Sequence, residues 1–220
     1  PPRNRNTIGS PYSRAVSFIG ITLSSGNAAS GNSAVATSGI ASVIHHTAIT
    51  TAIAAAAGSI VSRSAESGFI DDMNAFSKTL GLTQTYFLNS SGIDSSGEVG
   101  GAYGSAKDMA KLFHYILISR PSLFEATRYP NLSFTSLPGF SHHASNTNDM
   151  VGELPLLLAS QTGFTDSAGG NLVIAYDAGI DHPIIISVLG STKEGRFEDV
   201  KKLLWASLEA LENPRYTKKQ

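Results

Sequence analysis

The chain has no cysteine. That excludes disulfide scaffolds, thiolate-held zinc, iron–sulfur clusters and thiol nucleophiles, and leaves the compartment open. Charge is scarce: 15% of residues are charged, against about 25% in globular chains. It also nearly cancels, with 16 Lys+Arg against 17 Asp+Glu and a net charge of −1. With no basic excess to release counterions, the composition argues against a general DNA or RNA binder. Gly-x-Gly-x-x-Gly, Walker A, His-Glu-x-x-His and Gly-x-Ser-x-Gly motifs are all missing. The start, Pro1-Pro2-Arg3-Asn4-Arg5-Asn6, has neither Met nor the apolar run and cleavage site of a signal peptide. It reads as a fragment beginning inside a longer protein. What remains is 220 residues with 41% hydrophobic content. That suffices for a packed core and fits one domain, or one domain with an extension.

No Asp, Glu, Lys or Arg occurs from Ala15 to Ser62. Three readings compete for this stretch of Ala, Ser, Thr, Gly and Ile. A membrane span needs about 20 apolar residues, but the best window, Ile40 to Val61, holds two His and many Ser and Thr and no Leu or Phe. A buried helix with a flexible Ser/Gly lead-in, or a stretch of shifted reading frame, fits better.

From Glu66 onward the pattern is that of an ordinary globular protein. Phe69, Ile70, Met73, Phe76 and Leu80 recur at helical spacing, predicting a helix over Ser67–Leu80 that Gly81 stops. Thr85–Leu88 reads as a short strand, and Asn89–Gly92 as a turn. Ser105 with Asp108 has capping-box spacing. The helix it opens, to Ile118, carries Met109, Leu112, Phe113 and Ile116 on one face and ends before Pro121. Leu154–Ser160, Asn171–Tyr176 and His182–Leu189 are strand-like, with Asp177–Asp181 as a hairpin loop. Their near-continuous apolar runs predict strands covered on both faces. Glu194–Leu211 closes the chain as a helix. The order predicts an α+β fold, with helices against an antiparallel sheet.

Few residues offer chemistry alone. Gln161-Thr162-Gly163-Phe164-Thr165-Asp166 follows a predicted strand, and its Gly admits close backbone approach to a ligand; a hairpin turn is the commoner reading. Ser25-Gly26-Asn27 follows an apolar run and could aim two polar side chains into a cleft, though it is ordinary turn chemistry. His45-His46 and His142-His143 have no Asp, Glu or Cys at supporting spacing, so a metal site is disfavoured.

Together the pieces carry more. Ser-x-Asn followed by a strand-borne Thr-Gly matches two of the three motifs of penicillin-recognising serine enzymes. The chain resembles the serine D-alanyl-D-alanine carboxypeptidases, the low-molecular-mass penicillin-binding proteins. The resemblance rests on Ser17–Ser30 (SFIGITLSSGNAAS), Phe69–Gly92 (FIDDMNAFSKTLGLTQTYFLNSSG), Tyr103–Leu112, Asn146-Thr147-Asn148, Gln161–Val173 (QTGFTDSAGGNLV) and Gly195-Arg196 with Lys201–Leu204. The run at Gln161 is the most specific.

The resemblance implies a β-lactamase/transpeptidase-like fold with a helical subdomain, incomplete here. It implies a partial domain over 1–212, with an atypical charge-free segment at 31–65 and a tail at 213–220. The implied chemistry is acyl transfer through a serine ester on peptidoglycan stem peptides. Ser25 would relay a proton to the departing D-Ala, Asn27 would hold the substrate amide, and Gln161 occupies the third-motif Lys position. Phe164 N–H would be an oxyanion donor. Thr162, Thr165 and Arg196 would grip the terminal carboxylate of the substrate, and Gly163 would bind it on the third-motif strand. No metal or organic cofactor is implied, and no nucleic-acid partner. β-Lactams are implied ligands of the intact parent. That parent would be exported to the cell envelope, any membrane association resting on segments outside this chain.

Four departures qualify this. None of the eight lysines has a Ser three residues before it, so the nucleophilic Ser-x-x-Lys is absent, as in an N-terminally truncated member. Gln161 stands where the family has Lys, Ala28 follows Ser-x-Asn where Asp is usual, and the segment before Phe69 is longer than the family's. Two functions follow: a carboxypeptidase whose chain as given is inactive, or a catalytically inactive relative binding peptidoglycan peptides or a cell-wall partner. A serine β-lactamase fits the later segments less well.

Overall fold

The computed structural model describes residues 17–22, 42–43, 66–96, 99–137, 139–179 and 182–212. The strands are β1 (Ser17–Thr22), β2 (Ser42–Val43), β3 (Tyr86–Phe87), β4 (Ala102–Gly104), β5 (Asn131–Thr135), β6 (Ser141–Ser145), β7 (Leu157–Thr165), β8 (Gly169–Asp177) and β9 (Pro183–Ser191). The helices are α1 (Glu66–Thr79), α2 (Ala106–Ser119) and α3 (Gly195–Glu212). The main sheet has the order β1-β9-β8-β7. Its β7-β8-β9 portion is antiparallel as expected, while β1 joins β9 in parallel. Strands β2-β4-β3 and β5-β6 form two smaller sheets.

Period-two alternation in β8 and β9 builds two cores at once. Val173, Ala175, Ile185 and Leu189 face α1 and α2, packing with Met73, Met109, Leu112, Phe113 and Ile116. Leu172, Ile174, Tyr176, Ile184, Ile186 and Val188 face the other way, onto Val200 and Leu204 of α3. This is the physical reason for the unbroken apolar runs. The predicted helices form within a residue or two of their expected ends.

Two expectations shift. Leu154–Ser160 is not all strand: Glu153 and Leu154 donate their amides to Met150 O in a turn, and Leu156 sits at φ 49. The strand runs instead through Thr165, so Gln161–Thr165 lies within β7 and not in a turn after it. The capping box is only half formed. Ser105 Oγ accepts from Asp108 N (3.2 Å), but the buried Asp108 carboxylate accepts from Gln84 N (2.7 Å) and Thr85 Oγ1 (3.1 Å). Asp108 thereby ties α2 to the segment after α1.

Asn74 is the second tie: its Nδ2 donates to Phe87 O (2.9 Å) and its Oδ1 accepts from Phe87 N (2.8 Å). Removing it leaves two part-buried backbone groups unpaired, so Asn74→Ala should lower stability by about 2–3 kcal/mol; urea unfolding measures this, and a loss under about 0.5 kcal/mol would contradict it. Burial on α2 lowers the His114 pKa from its usual 6.5. The unfolded chain then takes up that proton first as pH falls, so stability should drop from about pH 6.5 downward. In His114→Gln that part of the drop should vanish from urea midpoints compared between neutral and mildly acidic pH.

Candidate active site: the open edge of β7

Among the described residues β7 is an edge strand, and only its first half is covered. A 3-10 turn, Glu125–Arg128, lies along that half. Ser160 N donates to Thr127 Oγ1 (3.1 Å), Ser160 Oγ to Thr127 O (3.1 Å), and Arg128 Nε to Leu157 O (3.1 Å). The Ser160 amide therefore points away from β8. The ladder is regular from Ser160 to Thr165, and its alternation turns the amides of Thr162 and Phe164 to the same outer edge. Beyond Thr127 no described residue pairs with that edge, which leaves it a template for an extended peptide.

Side chains divide by face. Gln161 pairs with Val173 on the α1–α2 side, and Thr162 with Leu172 on the α3 side. The Gln161 amide donates to Thr162 O (3.2 Å). Thr162 Oγ1 lies 2.6 Å from Thr147 Oγ1. Thr165 Oγ1 accepts from Ala168 N (2.9 Å). Phe164 is partly exposed, with Lys193 Nζ 5.8 Å from its ring centre.

Arg196 comes to this strand from the first turn of α3. Thr192 fixes that turn, accepting from Gly195 N at its Oγ1 (2.8 Å) and from Arg196 N at its carbonyl (3.1 Å). The guanidinium is buried, and Nη1 donates to Gly163 O (2.7 Å). Nε is buried without a hydrogen-bond partner. Burial lowers the Arg196 pKa while Asp149 and Glu194 raise it; a guanidinium remains protonated throughout. Asn171, fully buried opposite Gly163, accepts from Gly190 N (2.9 Å) where the β8–β9 ladder slips, and so holds the hairpin end in place. A cavity of about 230 Å3 adjoins the Gln161 end, lined among others by Thr127, Asn146, Thr147, Ser160 and Thr162. An open one of about 450 Å3 at the other end is lined by Asp94, Ser96, Phe164, Thr165, Asp166 and Ser167.

The structure thus brings Gln161, Thr162, Gly163, Phe164, Thr165 and Arg196 together. Ser25 and Asn27 lie outside the described residues, as do His45-His46 and most of the charge-free stretch. His142 and His143 sit apart, on β6.

The family model described as D-alanyl-D-alanine carboxypeptidase matches residues 40–193. The chain belongs to that family. Its curated relatives include the D-alanyl-D-alanine carboxypeptidase DacC of Escherichia coli, 32% identical over 141 residues, 63% of this chain and 33% of that protein. This chain spans about a third of the length of the first such relatives it matches. A penicillin-binding protein of Listeria monocytogenes in its ampicillin-bound form is 32% identical, covering 62% of this chain and 54% of that one, with a TM-score of 0.53. A penicillin-binding protein homologue from Mycobacterium tuberculosis, 18% identical, shares the fold over 80% of this chain and 84% of its own at a TM-score of 0.63. The fold is thus the β-lactamase-like α+β fold of the penicillin-binding proteins.

Two contributors went unassigned in the sequence. Thr147 was in view inside Asn146-Thr147-Asn148, but nothing in that tripeptide says that it meets Thr162. Asn171 lies inside the resembling run, and no local signal marks its side chain as a substitute for a ladder bond. Arg196→Ala removes a charged donor from Gly163 O and should cost about 1.5–3 kcal/mol in stability, read from urea midpoints; an unchanged midpoint would contradict the contact.

Proposed function

We propose that this chain is the substrate-docking part of a serine D-alanyl-D-alanine carboxypeptidase acting on peptidoglycan stem peptides. The observation that carries the reading is the juxtaposition of an outward Phe164 amide with a buried arginine on Gly163, along an edge free for pairing. A stem peptide would lie antiparallel on Thr162–Phe164, adding a strand. Its terminal carboxylate would meet Thr162, Thr165 and the remaining N–H groups of Arg196. Phe164 N–H would stabilise the oxyanion that forms when a serine Oγ attacks the penultimate D-Ala carbonyl. The lysine of Ser-x-x-Lys takes the hydroxyl proton, Ser25 passes a proton to the departing D-Ala amine, and water then hydrolyses the serine ester. Asn27 would hold the substrate amide. That nucleophile and its lysine are not among these 220 residues, so the full reaction belongs to the parent, which would work outside the cytoplasmic membrane and bind β-lactams.

Gln161 favours a second reading, a relative that binds stem peptides without turning them over. Its neutral amide is engaged with Thr162 O and supplies no positive field for the carboxylate or the proton relay.

Both readings predict that the chain binds diacetyl-Lys-D-Ala-D-Ala non-covalently in an NMR titration. Arg196→Ala should weaken that binding by about 10–100-fold, the value of a charge-assisted contact. A labelled penicillin should leave no covalent adduct on this chain. Stoichiometric labelling would overturn the missing nucleophile; peptide binding that is absent, or indifferent to Arg196, would overturn the docking edge. Gln161→Lys in the parent separates the readings: a gain in D-Ala release favours an enzyme weakened by Gln161, and continued inactivity a binding protein.

A further inference from the structure

The β5–β6 ribbon contributes Leu132, Ala144 and Ser145 to the cavity at the Gln161 end of the docking edge, but none of its apex residues. It is anchored at its base, where Asn146 donates from Nδ2 to Thr127 O and Tyr129 O (both 3.0 Å) and from its backbone to Pro130 O (2.8 Å). Five residue pairs link the strands. The apex is tied by Ser136 N to Phe140 O (2.9 Å) and Gly139 N to Ser136 O (2.8 Å).

Three properties of this ribbon coincide. Residues 131–145 contain no charged side chain. The register puts Leu132, Phe134, His142 and Ala144 on one face and Asn131, Ser133, Thr135, Ser141, His143 and Ser145 on the other. The apolar face ends in a bare apex: Leu137 is fully exposed, Phe140 68% and Phe134 58%. Phe134 is stacked on His142, with ring centres 5.1 Å apart, and His143 Nδ1 lies 3.1 Å from Ser133 Oγ, so each face carries a cross-strand contact. An exposed apolar apex on a protruding ribbon calls for a partner.

We propose that the β5–β6 ribbon docks on a phospholipid bilayer, seating Leu137 and Phe140 of its apex in the interface. The apolar groups sit at the tip, where a lipid plane is met first, and not on a flat face that a protein would cover. The polar face, all hydroxyl, amide and imidazole, suits headgroup depth. The ribbon's unpaired backbone edges forbid deep insertion, so the contact is shallow and reversible, as for other interfacial elements. With no charge on the ribbon, binding needs no anionic lipid and is indifferent to salt. The inference concerns the apex, none of whose residues lines the cavity at the docking edge.

The test uses Trp205, the single tryptophan of the chain. In the chain carrying Trp205→Phe and Phe140→Trp, phosphatidylcholine vesicles should shift the tryptophan emission to the blue, equally at low and high salt. Adding Leu137→Asp should reduce partitioning at least about tenfold, since a carboxylate is strongly disfavoured in the bilayer. Cosedimentation with vesicles, comparing the unaltered chain with Leu137→Asp, reads the same difference without the tryptophan change. No blue shift, or a shift that requires anionic lipid and disappears in salt, overturns the proposal. So does a concentration-dependent shift without vesicles, which would assign the apex to a second copy of the chain.

Discussion

The β8–β9 ladder is the constraint on which the rest depends. Both strands are buried on both faces, and each alternate residue serves a different core. A one-residue slip would exchange the two sets of side chains and disrupt both cores together. Ladder register also positions the edge: Gly163 faces Asn171 because β7 is paired on β8, and Arg196 reaches Gly163 because β9 delivers the chain through Thr192 into α3. The close approach of β8 to the end of β9 is visible at Gly170, where an added Cβ would lie 2.0 Å from Thr192 O. Neither side of the site can move without the sheet.

Much of this was legible in the sequence. Residues 171–176 and 182–189 read as doubly covered strands because only Asn171 and Ser187 interrupt their buried apolar faces, and the helices read from spacing because each has one core to face. Strand β1 and its parallel pairing were not legible, since Ser17–Ser30 resembles the family's helix leading into Ser-x-Asn, and strand direction depends on a connection that leaves no local trace. Nor was the extension of β7 through Gln161–Thr165. Gly163 and the polar residues around it mimic turn chemistry, and they lie in a strand because β8 supplies the partners. The β5–β6 ribbon escaped a pattern search for buried elements because it is almost wholly exposed. Its signal was present in the alternation of Leu132 and Phe134 and in the Pro138-Gly139 dipeptide.

The candidate site was read through resemblance more than through residue chemistry. Ser25 and Asn27 lie outside the described residues, while Thr162, Phe164 and Arg196 converge on one edge. Gln161 is where family pattern and local chemistry part. The strand, the arginine and the outward amide are kept, and the cation that would assist catalysis is replaced by an amide bonded to its own strand. Under the proposed function, binding and turnover would separate at this residue.

The central claim is that the outer edge of β7 beyond Thr127 is open and takes an extended peptide. Amide hydrogen exchange at Thr162 and Phe164 tests it most directly. The account predicts rapid exchange at both in the free chain, against strong protection at Gln161 and Gly163, and marked slowing at both when a D-Ala-D-Ala peptide is added. Protection already present in the free chain, or exchange unchanged by peptide, would contradict it.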